Sequence, residues 1–287
     1  MTDSKTVRPG DVVKRHRLST RLWHWTNVVA FFVMLMSGFM IFNAHPRLYW
    51  GSYGANYDTP WLVIDDENGR GFVQVGSVDI TTTGVLGVYD DKEGVTRTRA
   101  FPWWATIPSG YSLSEGRRWH LAFAWILSFS LLAYTIVSLV NRHFQRDLKF
   151  RRNELSPRHI WQDIKDHARL RFPTGAAALD YNVLQKLSYA VVLFLFLPGI
   201  ILTGLTMSPG FNATLPFLLD LFGGRQSARS LHFIFAFALL GFFFVHVAMV
   251  VAAGPINEIR SMISGRFRIP GRSEQPDRRD PLPEAAE

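Results

Sequence analysis

Four stretches of this 287-residue chain contain no Lys, Arg, Asp or Glu: Leu22–His45, Trp119–Asn141, Leu187–Leu219 and Ser230–Asn257. Each exceeds the ~20 residues that a helix needs to cross a hydrocarbon core ~30 Å thick. A bilayer core offers no water to backbone amides, so stretches of this kind fold there as helices, whose hydrogen bonds close within the segment. The third has room for a helix and a loop, and Pro209 and Pro216 end its helix near Met207. The fold expected is an all-α integral membrane protein, a four-transmembrane-helix bundle with spans at 24–43, 117–140, 184–207 and 230–252. Helices buried in a water-soluble fold are the alternative, but four of this length are hard to bury in one chain. The first stretch is also a poor cleaved leader. Its basic lead KRHRLSTR is suitable, but the apolar run exceeds the usual ~7–15 residues and FNAHPR has no small-x-small site.

Charge gives the expected orientation. The net charge of +8 is concentrated in residues 1–22, with six Lys/Arg, residues 141–182, with nine, and the tail after Gly254, with six. Residues 44–116 carry five Lys/Arg against nine Asp/Glu. Basic loops stay cytoplasmic, so segments 1–23, 141–183 and 253–287 are expected inside, and loops 44–116 and 208–229 outside. The basic balance then reflects topology and contact with anionic lipid, and no aromatic-interleaved basic motif points to nucleic acid. SPRHIWQDIKDHARL reads as an amphipathic interfacial helix capped by Ser156, with Ile160, Trp161, Ile164 and Ala168 on one face. The Gly-, Asp- and β-branched-rich segment 44–116 reads as short strands and turns. The Pro- and Arg-rich tail 270–287 reads as disordered. With no cysteine in the chain, disulfides, thiolate metal sites and iron–sulfur clusters are excluded within it.

The nine histidines separate on this map. His16, His45, His143, His159 and His167 fall outside the spans and read as solvated or interfacial. The other four lie in helices: His24 at the inner end of the first span, His120 at the outer end of the second, and His232 and His246 on the fourth. The last two are 246 − 232 = 14 residues apart. That is about 40° short of four turns and roughly 21 Å of rise, so both rings leave nearly the same face at two levels. The four histidines therefore form an outer pair, His120 and His232, and an inner pair, His24 and His246. Ionisable residues inside a membrane are functional candidates by default. Zinc takes four ligands, or three and water, and these spans hold no carboxylate. Haem iron, already bound by its porphyrin, needs only two axial imidazoles. Two bis-histidine haems b would make an electron wire across the bilayer. Gly38 lies 14 residues beyond His24, where a missing side chain admits a porphyrin, and Arg21, Arg117, Arg118, Arg225 and Arg229 flank the two levels as partners for haem propionates. An ordinary helix-contact glycine and interfacial anchoring are the competing readings.

This histidine pattern resembles that of the di-haem cytochrome b subunits of respiratory formate dehydrogenases and Ni-Fe hydrogenases. The blocks YNVLQKLSYAVVLFLFLPGIILTGLTMSP, RSLHFIFAFALLGFFFVHV and NEIRSMISGRF are similar to bacterial b561-type and thiosulfate-reductase-like cytochrome b subunits that accompany molybdopterin oxidoreductases. The resemblance covers 24–43 and 117–268. It implies a multi-pass protein of the bacterial inner membrane, with His120/His232 holding an outer haem and His24/His246 an inner one. It also implies electron exchange between a membrane quinone and a periplasmic redox subunit, molybdopterin-dependent by the likeness. Segment 44–116 is much longer than in formate dehydrogenase cytochromes, and its Trp50, Trp61, Trp103 and Trp104 suit a docking surface. A stand-alone b561-type oxidoreductase acting on a small redox molecule such as superoxide is the alternative function. A haem-free transporter or scaffold is a third, disfavoured by the histidine levels.

Overall fold

The computed structural model describes residue 8 and residues 10–55, 57–142, 144, 154, 156–169 and 182–269. In chain order its helices are α1 (Leu18–Phe42), α2 (Leu113–Val140), α3 (Pro157–Ala168), α4 (Val183–Met207), α5 (Pro209–Thr214), α6 (Phe217–Leu221), α7 (Arg225–Ala253) and α8 (Pro255–Ser264). Of these, α1, α2, α4 and α7 are long and apolar enough to cross a membrane. α4 ends at Met207, where the prolines placed its end. α1, α2 and α7 begin before the expected 24, 117 and 230, because helical hydrogen bonding continues beyond the hydrocarbon edge into polar first turns such as that containing Glu115. Within α4 a π turn at Val192–Phe196 precedes Pro198. Proline lacks an amide and crowds the carbonyl one turn back, and a widened turn accommodates both effects.

The all-α expectation needs correction, for the described residues also form eight strands. These are β1 (Val12–Lys14), β2 (Arg47–Leu48), β3 (Leu62–Glu67), β4 (Arg70–Val75), β5 (Val78–Thr81), β6 (Gly87–Asp90), β7 (Thr96–Arg99) and β8 (Arg266–Arg268). Six of them lie in segment 44–116, as its composition suggested. The pairing of β1 with β8 was not expected, since it joins residues some 250 positions apart and leaves no local pattern. His143, the side chain of His167, Arg146, Lys149, Arg151, Arg152, Arg171 and the tail 270–287 lie outside the described residues.

The chain divides into two compact units. The first comprises Trp23–Ala133 and Val192–Phe242. Its antiparallel sheet runs β2-β3-β4-β5, with β6 and β7 as a separate hairpin. The β3–β4 turn is Asn68-Gly69, both at positive φ, the geometry for which a two-residue hairpin selects Asn-Gly. Phe42, Leu48, Leu62, Ile64, Ala100 and Phe101 form its core, against Phe39 of α1 and Phe233 of α7. The Asn43 carboxamide both donates to the Phe101 carbonyl (3.0 Å) and accepts from its amide (2.7 Å), tying the end of α1 to this core.

The same unit grips the start of α7. The Gly51 carbonyl accepts from the Gln226 and Ser227 amides at 3.0 and 3.1 Å, satisfying two of the first-turn donors that a helix leaves open. Gly224, at φ 104°, leads into that turn, and a Cβ there would stand 2.6 Å from the Gly51 oxygen. Ser230 Oγ donates to the Tyr49 carbonyl (2.6 Å) and accepts from the Trp61 indole (2.9 Å). The Arg229 guanidinium donates to the His45 and Arg47 carbonyls at 2.5 and 3.0 Å. Burial, then the Arg229 and Arg47 charges, hold the His45 imidazole below its ordinary pKa.

The second unit comprises Met1–Leu22, Tyr134–Val191 and Phe243–Glu287. Here β1 pairs antiparallel with β8, and Arg15 bonds Glu258 at 3.2 Å while lying over the Phe267 ring. Ser156 Oγ caps α3 through the His159 amide at 3.3 Å, as its sequence position suggested. The Lys186 ammonium meets Glu154 at 2.9 Å with both side chains largely buried.

Candidate functional site

In the first unit two imidazoles face one another, and each is held through Nδ1. His120 lies on α2 against α1, with Nδ1 3.1 Å from the Met34 carbonyl oxygen and 3.2 Å from Ser37 Oγ. A carbonyl can only accept, so Nδ1 carries the hydrogen. Ser37 is fully buried and directs its proton to the Val33 carbonyl at 2.5 Å, the back-bond a hydroxyl makes inside a helix, so it meets Nδ1–H as an acceptor. Gly38 follows, where a Cβ would sit 3.4 Å from His120 Cε1.

His232, on α7, is held in a similar way against α4. Its Nδ1 is 3.1 Å from Thr203 Oγ1. Thr203 is fully buried and donates to the Gly199 carbonyl at 2.7 Å. A Cβ at Gly204 would stand 3.3 Å from His232 Cε1. A Ser-Gly or Thr-Gly pair thus supports each histidine, with carbonyls three and four residues upstream of the hydroxyl taking the remaining bonds.

The centroids of the two rings are 6.1 Å apart and their planes are inclined at 61°. Two metal–imidazole bonds of ~2.0–2.1 Å and ~1.1 Å from each nitrogen to its ring centre add up to ~6.3 Å. Rings on a shared axis are free to differ in rotation, so the inclination is compatible with that span. With Nδ1 protonated on both rings, the lone pair of each is on Nε2, the atom that binds a metal. Among the described residues no three His, Cys, Asp or Glu side chains converge, the minimum for a protein-bound zinc. Two imidazoles are what haem iron requires, and the residues present fit that group.

A family model described as prokaryotic cytochrome b561 matches residues 15–265. The chain belongs to that family. It is therefore a membrane haem protein of b561 type, and all four intramembrane histidines lie within the matched residues. The b561 chain is also 27% identical, over 230 residues, to the "Putative protein-methionine-sulfoxide reductase subunit YedZ1" of Azospira oryzae, covering 80% of this chain and 86% of that protein. No solved structure matches it.

The other sequence candidates have varied surroundings in this b561 protein. Gly38, expected to clear a porphyrin, lies beside the His120 ring edge. Arg21 donates to the Ile263 carbonyl near the end of α8, and Arg225 to the Met207 carbonyl that ends α4 at 2.7 Å. With Arg229 committed to two loop carbonyls, three of the five arginines secure backbone ends. Arg117 and Arg118 are exposed and make no hydrogen bond or ion pair among the described residues. His24 belongs to the first unit and His246 to the second, each placed by its own helix. Sequence reasoning missed Ser37, Thr203 and Gly204. The available signal was the recurrence of a hydroxyl-glycine pair, LMSGFM and ILTGLTM, in the long helix preceding that of His120 and that of His232.

Proposed function

We propose that this cytochrome is the membrane electron-transfer subunit of an oxidoreductase complex, linking a membrane quinone to a periplasmic redox partner. The observation that carries the reading is the facing pair His120 and His232, each anchored through Nδ1 with Nε2 left for iron. When bound, haem b would supply a one-electron couple. His120 and His232 would hold the outer haem, and by the sequence pattern His24 and His246 would be the ligands of an inner one. Arg117 precedes His120 by one turn and, with Arg118, has donors free for propionates. The partner is molybdopterin-dependent by the resemblance noted above. The naming of the Azospira relative as a reductase subunit suits electron delivery outward from quinol to that partner.

Orientation follows the charge distribution: inner membrane, both termini cytoplasmic, segment 44–116 periplasmic. That segment exposes Trp50, Tyr53 and Tyr57. Trp50 stacks on Trp61 at 5.7 Å, and Trp61 bonds Ser230, two residues from His232. This face suits partner docking near the outer haem.

A pyridine haemochrome assay on the purified chain is expected to give about two haems b per polypeptide, one per histidine pair. His120→Ala or His232→Ala removes one redox species, and His24→Ala or His246→Ala the other. Retention of both species in His120→Ala overturns the ligand assignment.

A further inference from the structure

We propose that Ser37 and Thr203 are positioning residues that set the reduction potential of the haem held between His120 and His232. The inference rests on that ligand assignment and goes beyond it. The His120 Nδ1 hydrogen meets a helix carbonyl and a hydroxyl oxygen, and the His232 Nδ1 hydrogen meets a hydroxyl oxygen. The carbonyl of Met34 also serves the helix ladder, whose i→i−4 pattern brings it the Gly38 amide. The hydroxyl oxygens are not shared in this way. Each has spent its only proton on the carbonyl four residues back, at 2.5 Å for Ser37 and 2.7 Å for Thr203, and turns a lone pair toward Nδ1–H. Drawing that hydrogen outward makes the imidazole a stronger base toward iron, as acceptors behind metal-bound histidines do. A more basic ligand on both axial positions favours the more highly charged ferric state and lowers the potential. Both hydroxyls are fully buried, so no water competes for the bond. The chain uses the device twice, once from α1 and once from α4, so the effects act on one iron from both sides.

Ser37→Ala, Thr203→Val and the double variant of the full-length protein test this by redox potentiometry at the haem absorption band and by EPR of the ferric state. Haem content is expected to hold while the potential of one haem rises. The double variant should favour reduction about tenfold, which is ~59 mV for a one-electron couple. The other haem should keep its potential. Ser37→Thr and Thr203→Ser, which retain the hydroxyl, should restore the parent potential and g values. Haem-loaded alanine and valine variants with unchanged potential and EPR overturn the proposal, as does a shift that the hydroxyl-retaining variants fail to reverse. His120→Ala, measured alongside, separates the two levels of inference: if it keeps both haem species, the ligand assignment itself has failed.

Discussion

At the scale of single residues, the glycine beside each imidazole decides how near the ring can lie to helix backbone. A Cβ at Gly204 would meet His232 Cε1 at 3.3 Å, tight but within reach of a small adjustment, so Gly204→Ala should be tolerated. Gly204→Leu has no such escape, because the ring is already fixed through Nδ1 to Thr203. Its haem-to-protein ratio is expected to fall several-fold, read from absorbance against polypeptide concentration, with Gly204→Ala near the parent value. The histidines themselves were legible in the sequence, because four imidazoles in uncharged stretches stand out and the spacing of 14 assigns two of them to one helix face. Their hydroxyl partners were not. Ser and Thr are common in apolar helices, where back-bonding to their own helix satisfies them. Only knowledge of which helices face each other turns Ser37 and Thr203 into supports.

At the scale of elements, the register of α7 depends on the loop that receives its first turns. Ser230 is fully buried, takes the Trp61 indole hydrogen and gives its own to Tyr49. Ser230→Ala leaves both groups without this partner, a loss of ~1–3 kcal/mol for each buried group left unsatisfied. Thermal unfolding of the detergent-solubilised protein should show a lower midpoint for this variant, together with altered tryptophan fluorescence. The four long helices were readable because length and absence of charge are sufficient to identify a span. The strands of segment 44–116 were readable for an equally local reason, its Gly, Asp and β-branched clusters. Extended helix starts, the π turn before Pro198 and the β1–β8 pair were not. The first two depend on how polar end residues and a proline are accommodated, and the third joins distant parts of the chain that carry no shared signal.

At the scale of the whole molecule, transfer to a partner should be separable from haem binding. Trp50, Tyr53 and Tyr57 are exposed on the segment clamped to α7. Replacing the three by Ala is expected to leave the haem spectrum and potential unchanged while slowing haem oxidation or reduction by the purified partner about tenfold or more, as loss of exposed aromatic anchors does at interfaces. An undiminished rate would place docking elsewhere. The facing histidines also have a mechanical consequence. They come from separate helix pairs, at positions 120 and 232, so an iron bonded to both is a covalent-strength cross-link closing a ring of 232 − 120 = 112 residues. A closure of that length removes from the unfolded chain freedom equivalent to about 4–5 kcal/mol in the disulfide case. In a chain without cysteine, the cofactor would take the part that a disulfide plays elsewhere, and extracting it would relax the fold as reduction relaxes a disulfide-bonded protein.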